Sequence, residues 1–228
     1  LIVRELGGAG APLVVLHGLL GSSRNWQSAG VALAERGHRV LAPDLRNHGS
    51  SPWGEDCSYA ALSGDVIALL DALQIEKAAL IGHSWGSLIA LEAAARLGER
   101  ISHLLMVGTA YPMKVSAALL EASLNEPLKA LKMINVFSRS TLAPPPSVLG
   151  PGTWVYGSSL ALGRRVLAGN PAVNVFHRGF VACDSYANGE EAMAAVRCPV
   201  LMLLGAQDQM THPKAANTLI ASANAKGK

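Results

Sequence analysis

Charge is scarce in this chain, and long apolar runs are missing. Asp, Glu, Lys and Arg supply 15% of the 228 residues, against 50% apolar. That balance excludes the polar, highly charged composition of disordered chains. The formal net charge is only +3. Arg and Lys do not cluster along the sequence, so there is no electrostatic case for nucleic acid. No apolar stretch reaches the roughly 18 residues of a membrane helix, so no membrane partner is expected. Cysteine is sparse too: Cys57, Cys183 and Cys198. Their odd number and wide spacing exclude a disulfide framework and a C-x-x-C metal pattern. They read as buried or free thiols in a reducing compartment. With no visible signal peptide, a cytoplasmic location is expected. Internal repeats and low-complexity tracts are also lacking.

What is present is an alternation of short apolar runs and helical patterns, in a length that suits one core. Leu1–Leu6 reads as a first strand, broken by Gly7, Gly8 and Gly10. Leu13–Leu16, Val40–Ala42, Ala78–Ile81 and Leu104–Val107 read as strands buried on both faces. Helical spacing covers Trp26–Glu35, Tyr59–Leu73 behind an N-cap at Ser58, and Leu88–Leu97 ahead of Gly98. Strands alternating with helices demand a mostly parallel, doubly wound α/β sheet. From Ala110 to about Ala195 the pattern turns helical, divided at Pro144-Pro145-Pro146, Gly150-Pro151-Gly152 and Asn170-Pro171. Val200–Leu204 resumes the strands and Pro213–Ala221 reads as one more helix. The expected organisation is a core in two parts, 1–109 and 196–228, with a helical cap at 110–195.

Two motifs carry chemistry. Gly82-His83-Ser84-Trp85-Gly86 is a G-x-S-x-G between a strand and a helix. A strand that turns into a helix within about two residues strains the backbone at the serine and projects its hydroxyl above the sheet. The two glycines let strand and helix pass closely. His17-Gly18-Leu19-Leu20-Gly21 follows the strand Leu13–Leu16. In that context the backbone N–H groups of Leu19 and Trp85 should form an oxyanion hole. His17 is expected to hold its loop by a side-chain hydrogen bond and lies close enough to count as a pocket candidate. His83 is expected to point away from the serine hydroxyl and pack beneath the elbow.

With Asp44-Leu45-Arg46-Asn47-His48-Gly49-Ser50-Ser51, these motifs resemble the α/β-hydrolase superfamily. The R-N-H-G-x-S stretch is most similar to a group of small bacterial and mitochondrial esterases. The resemblance spans the chain, with the specific motifs in the first 109 residues. It implies an α/β-hydrolase fold with a cap inserted before the penultimate strand, Ser84 as nucleophile, and Asp208 as the acid after that strand. It also implies a catalytic histidine after a further helix and last strand. These need roughly 20–30 residues, and 20 follow Asp208. The last strand, its helix and the histidine are therefore expected to be missing, leaving the 228 residues nearly inactive. His212 and His177 are the lesser candidates for the base. Asp44, Arg46 and Asn47 should fix a loop, with His48 at the pocket rim. Met113, Phe137, Trp154, Tyr156 and Phe180 could line the pocket or form the core of the cap.

The resemblance implies a serine hydrolase acting on a small apolar ester or acyl compound, with no cofactor and no metal. A proline-iminopeptidase-like enzyme and a carbon–carbon bond hydrolase share the scaffold. The rival from another class is a binding protein that lacks the base.

Overall fold

A computed structural model describes residues 1–138, 154–169 and 173–227 of the chain. The first half runs β1 (Ile2–Gly7), β2 (Pro12–Leu16), a 3-10 turn (Ser23–Trp26), α1 (Gln27–Ala34), β3 (Arg39–Asp44), α2 (Tyr59–Ala72), β4 (Ala78–His83), α3 (Trp85–Leu97) and β5 (Ile101–Val107). Four helices follow, α4 (Ala117–Asn125), α5 (Pro127–Phe137), α6 (Val155–Gly169) and α7 (Val175–Ser185). Then come α8 (Gly189–Ala195), β6 (Val200–Leu203), a second 3-10 turn (Pro213–Ala216) and α9 (Asn217–Ala225). The breaks expected at Pro144–Pro146, Gly150–Gly152 and Asn170–Pro171 lie outside the described residues.

The strands form one sheet in the order β1-β3-β2-β4-β5-β6. β1 is antiparallel to β3, and every other pairing is parallel. The sheet is mostly parallel with helices on both faces, as the alternation of elements requires. Alternate side chains serve the two faces. Val14, Leu16, Leu80, Leu104 and Met106 pack with α2, α3, α8 and α9. Leu13, Val15, Val40 and Ile81 meet α1 on the other side.

Local chemistry sets the element ends. Ser58 accepts the N–H of Ala61 at 3.2 Å and caps α2, whose Leu62, Val66 and Leu70 are buried. β3 outruns its expected end at Ala42, because β1 continues the pairing with Val3 opposite Pro43 and Ile2 opposite Asp44. The helix expected over Trp26–Glu35 starts as a 3-10 turn that Ser22 and Asn25 close with a capping box.

Helices α4 to α7 enclose their own apolar cluster, which includes Leu119, Leu131, Val166 and Phe176. Helix α8 falls inside the expected cap, but it belongs to the sheet layer. Ala192 and Met193 join the main core with α3 and α9. Among the described residues no helix is long and apolar enough to cross a membrane.

Candidate active site

β4 runs through Gly82 and His83, and α3 starts directly after Ser84, three residues ahead of its expected start. Ser84 sits at φ 51° and ψ −121°, a region that L-residues enter at a cost of about 1–3 kcal/mol. Its surroundings fix it there. Ser84 N–H donates to the Val107 carbonyl at 2.8 Å, and the Ser84 carbonyl accepts the N–H of Ser87 at 2.8 Å. The glycines of the motif are sterically required. A Cβ on Gly82 would lie 2.2 Å from the Gly86 carbonyl oxygen, and one on Gly86 would lie 2.4 Å from that of His17.

The Ser84 side chain opens on two adjoining cavities. One, of about 330 Å³, also holds His83, Asp208, Ile134, Phe176 and Thr211 in its wall. The other, of about 240 Å³, is walled by Met113, Leu119, Met133 and Phe137. Leu19, Phe180, Met210 and Thr211 line both. Asp208, the expected acid, is held on the turn after β6. Its Oδ1 accepts the N–H groups of Met210 and Thr211, each at 2.8 Å, and its Oδ2 accepts the Thr211 hydroxyl at 2.8 Å. The N–H of Leu19 and that of Trp85 have no hydrogen-bond acceptor among the described residues.

Several candidate residues sit elsewhere than the sequence suggested. His17 and His48 are fully buried and line neither cavity. His17 Nδ1 donates to the Gly18 carbonyl at 2.8 Å, and Nε2 accepts the Leu45 N–H at 2.9 Å. His48 Nδ1 donates to the Arg46 carbonyl at 2.9 Å, and Nε2 accepts the Leu20 N–H at 3.0 Å. With both ring nitrogens occupied, neither imidazole has an atom left for a substrate. Burial lowers the His17 pKa to about 4 and that of His48 to about 3. His83 reverses the expectation in the other direction: it is exposed and lines the larger cavity. Its ring lies against Gly18 and Gly108, where an added Cβ would approach within 3.0 and 3.6 Å. The protein around it lowers its pKa, against an opposing pull from the Asp208 charge.

Of the apolar candidates, Met113, Phe137 and Phe180 line the cavities. Trp154 does not. It is 69% exposed and stacks on Tyr156 with ring centres 5.8 Å apart. His212 is exposed and caps the turn after it by accepting the Lys214 N–H. His177 bonds to Ser123 and the Leu120 carbonyl between α7 and α4. Met210, Thr211, Ile134 and Phe176 were not singled out by sequence. Thr211, three residues after Asp208, carried the one readable signal, the spacing of a side chain that closes an aspartate turn.

The turn after β3 is structural. Arg46 forms a bidentate pair with Asp65 at 2.7 and 2.8 Å. Asn47, at φ 66°, exchanges two bonds with Gly54 at 2.8 and 2.9 Å. Asp44 accepts the N–H groups of Ser23 and Ser50. The three cysteines are free and buried, and burial pushes the Cys183 thiol up to about 12. No group of His, Cys, Asp or Glu among the described residues is arranged to hold a metal ion.

Comparison with known proteins agrees with this geometry. The family described as the alpha/beta hydrolase fold matches residues 11–149. The sn-1-specific diacylglycerol lipase ABHD11 of Xenopus laevis is 43% identical over 99 residues, 43% of this chain and 32% of the relative. Esterase YbfF of Escherichia coli is 37% identical over 102 residues, 44% of this chain and 39% of the relative. The chain thus spans well under half the length of these curated relatives. An esterase structure from Exiguobacterium antarcticum superimposes with a TM-score of 0.81 at 19% identity. That match covers 96% of this chain and 82% of the esterase, and it shows the shared fold. By its sheet order, its strained serine between β4 and α3, and the family match over most of its length, the chain belongs to the α/β-hydrolase fold family.

Proposed function

We propose that this chain carries the nucleophile and acid of a serine hydrolase that cleaves carboxylic esters of small apolar acids through an acyl-enzyme on Ser84. The observation that supports this above all is the strained Ser84 at the head of α3, open to two cavities with Asp208 in the wall of one. In this reading the Ser84 hydroxyl attacks the ester carbon while its proton passes to a base. The carbonyl oxygen takes up the negative charge and is held by the N–H groups of Leu19 and Trp85, helped by the positive end of α3. Collapse expels the alcohol, and water releases the acid. The cavity walled by Met113, Leu119, Met133 and Phe137 suits the acyl chain.

The base belongs between the Asp208 carboxylate and the Ser84 hydroxyl. His83 is the histidine on that cavity wall. Among the described residues no hydrogen bond joins His83 to Ser84, so we assign His83 to the wall and not to proton transfer. The 228 residues should then turn over slowly, on oxyanion stabilisation and binding, roughly 10³–10⁴-fold above water.

The test is labelling with a fluorophosphonate followed by peptide mapping. Slow, stoichiometric modification of Ser84 that disappears in Ser84→Ala supports the hydrolase. The unbonded Ser84 hydroxyl favours one other reading, a ligand-binding protein on a hydrolase scaffold. In that case the wild type takes no label, and a short-chain ester or acid binds equally well to Ser84→Ala.

A further inference from the structure

We propose that a third cavity, separate from Ser84, binds the phosphate group of a small phosphomonoester. This cavity, of about 270 Å³, lies where cap helix α6 meets the edge of the core. Three arginines from distant parts of the chain line its wall: Arg4 from β1, Arg24 from the 3-10 turn after β2, and Arg165 from α6. None of the three side chains has a carboxylate or carbonyl partner among the described residues. Arg39, Arg46, Arg100 and Arg197, by contrast, each face a carboxylate.

The wall holds one acid, Asp44, and it is already committed. Its Oδ1 accepts the Ser23 N–H at 2.7 Å, and its Oδ2 accepts the Ser50 N–H at 3.0 Å. Three cations therefore surround the cavity against one satisfied anion. Like charges lining one cavity raise its potential and favour an anion there. Three separate donor forks suit a group with three terminal oxygens and close to two negative charges, which describes phosphate better than carboxylate. Trp53, half-buried on the same wall, offers a flat apolar surface to the group esterified to that phosphate.

The site straddles two layers: Arg165 comes from the cap, and Arg4 and Arg24 from the core. A phosphate bound there ties the cap to the segment that continues from the oxyanion loop, so the folded state gains stability with ligand concentration. The inference does not depend on the chemistry at Ser84.

The experiment follows Tm and tryptophan fluorescence while the full 228-residue chain is titrated with inorganic phosphate and with glycerol 1-phosphate at constant ionic strength. A parallel arm measures flotation with phosphatidic acid vesicles against neutral phosphatidylcholine vesicles. The variants are Arg24→Gln, Arg165→Gln and, as a control outside the cavity, Arg36→Gln. All three positions are exposed, and circular dichroism checks that each variant folds. The expected result is a saturable rise in Tm for the wild type and Arg36→Gln. Each cavity variant should bind roughly tenfold more weakly, the scale of one charge-assisted hydrogen bond. Saturation by the soluble phosphates assigns a soluble ligand, and saturation by the anionic vesicles alone assigns a lipid headgroup. No saturable response in either arm, or equal responses in all four proteins, overturns the proposal.

Discussion

His48 accepts the backbone N–H of Leu20 at 3.0 Å through Nε2, and this bond holds the turn after β2 in shape. Leu20 stands at φ 61°, a left-handed conformation that a γ-branched residue without a local partner adopts reluctantly. His17 does the same service one layer below for Leu45, and the two rings lie 4.9 Å apart.

Replacing His48 by alanine strands a buried N–H at Leu20. The expected cost is about 1–3 kcal/mol for the unsatisfied donor, with a further loss from the space left by the ring. Urea unfolding of His48→Ala checks the stability, and the fluorophosphonate labelling rate of Ser84 should fall with it. Unchanged stability would show that the loop holds its shape without the ring.

Both buried histidines make stability depend on pH. In the folded state their pKa values stand at about 4 for His17 and about 3 for His48, below the unfolded value of roughly 6.5. Between these values the unfolded chain binds more protons, so stability rises with pH. Their contribution is complete above about pH 6.5 and drains away as the pH falls toward 4 and then 3. Urea midpoints measured across this window should slope downward with acid. His48→Gln, which removes one titrating ring, should flatten the slope.

Gly82→Ala should be among the most damaging substitutions in the chain. Its Cβ would lie 2.2 Å from the backbone oxygen of Gly86, and backbone on both sides prevents relief. The loss should exceed the usual range of about 0.5–3 kcal/mol for single substitutions. Soluble yield and thermal melting check this, with Gly64→Ala as the tolerant comparison, since an added Cβ there would meet only the Arg96 side chain, at 3.8 Å.

Filling the apolar cavity should shorten the preferred acyl chain. Met113→Trp places a bulky indole in the space of about 240 Å³ beside Ser84. Each methylene excluded from an apolar pocket costs roughly 10–200-fold in specificity. With p-nitrophenyl acetate, butyrate and octanoate as substrates, the acetate rate should hold while the octanoate rate falls. Equal losses on all three esters would move the acyl chain to the other cavity.

Much of this molecule follows from local pattern. Apolar runs of strand length, the serine N-cap of α2 and the glycine-flanked serine between strand and helix are patterns of a few residues, so neighbours in sequence suffice to read them. The parallel sheet follows because strand and helix alternate and crossovers have one hand. The placing of Asp208 and Asn47 belongs to the same category, because turn chemistry is local.

Direction and company were decided in three dimensions. His83 was expected under the elbow and lines the cavity, because its side chain's direction depends on where β4 ends and on the space that Gly18 and Gly108 leave. His17 holds its loop as expected, but neither it nor His48 reaches a cavity, because their second partners, Leu45 and Leu20, lie 28 residues away. Helix α8 reads as part of the cap and packs on α3, since helical periodicity marks an apolar face without naming what covers it. The sequence shows no basic cluster, yet Arg4, Arg24 and Arg165 share one cavity. Residues as far apart as Arg4 and Arg165 line one cavity only once β1 is laid along β3 and α6 is packed against that edge of the core, so composition and spacing determine which elements form, and packing alone determines which charges share a cavity.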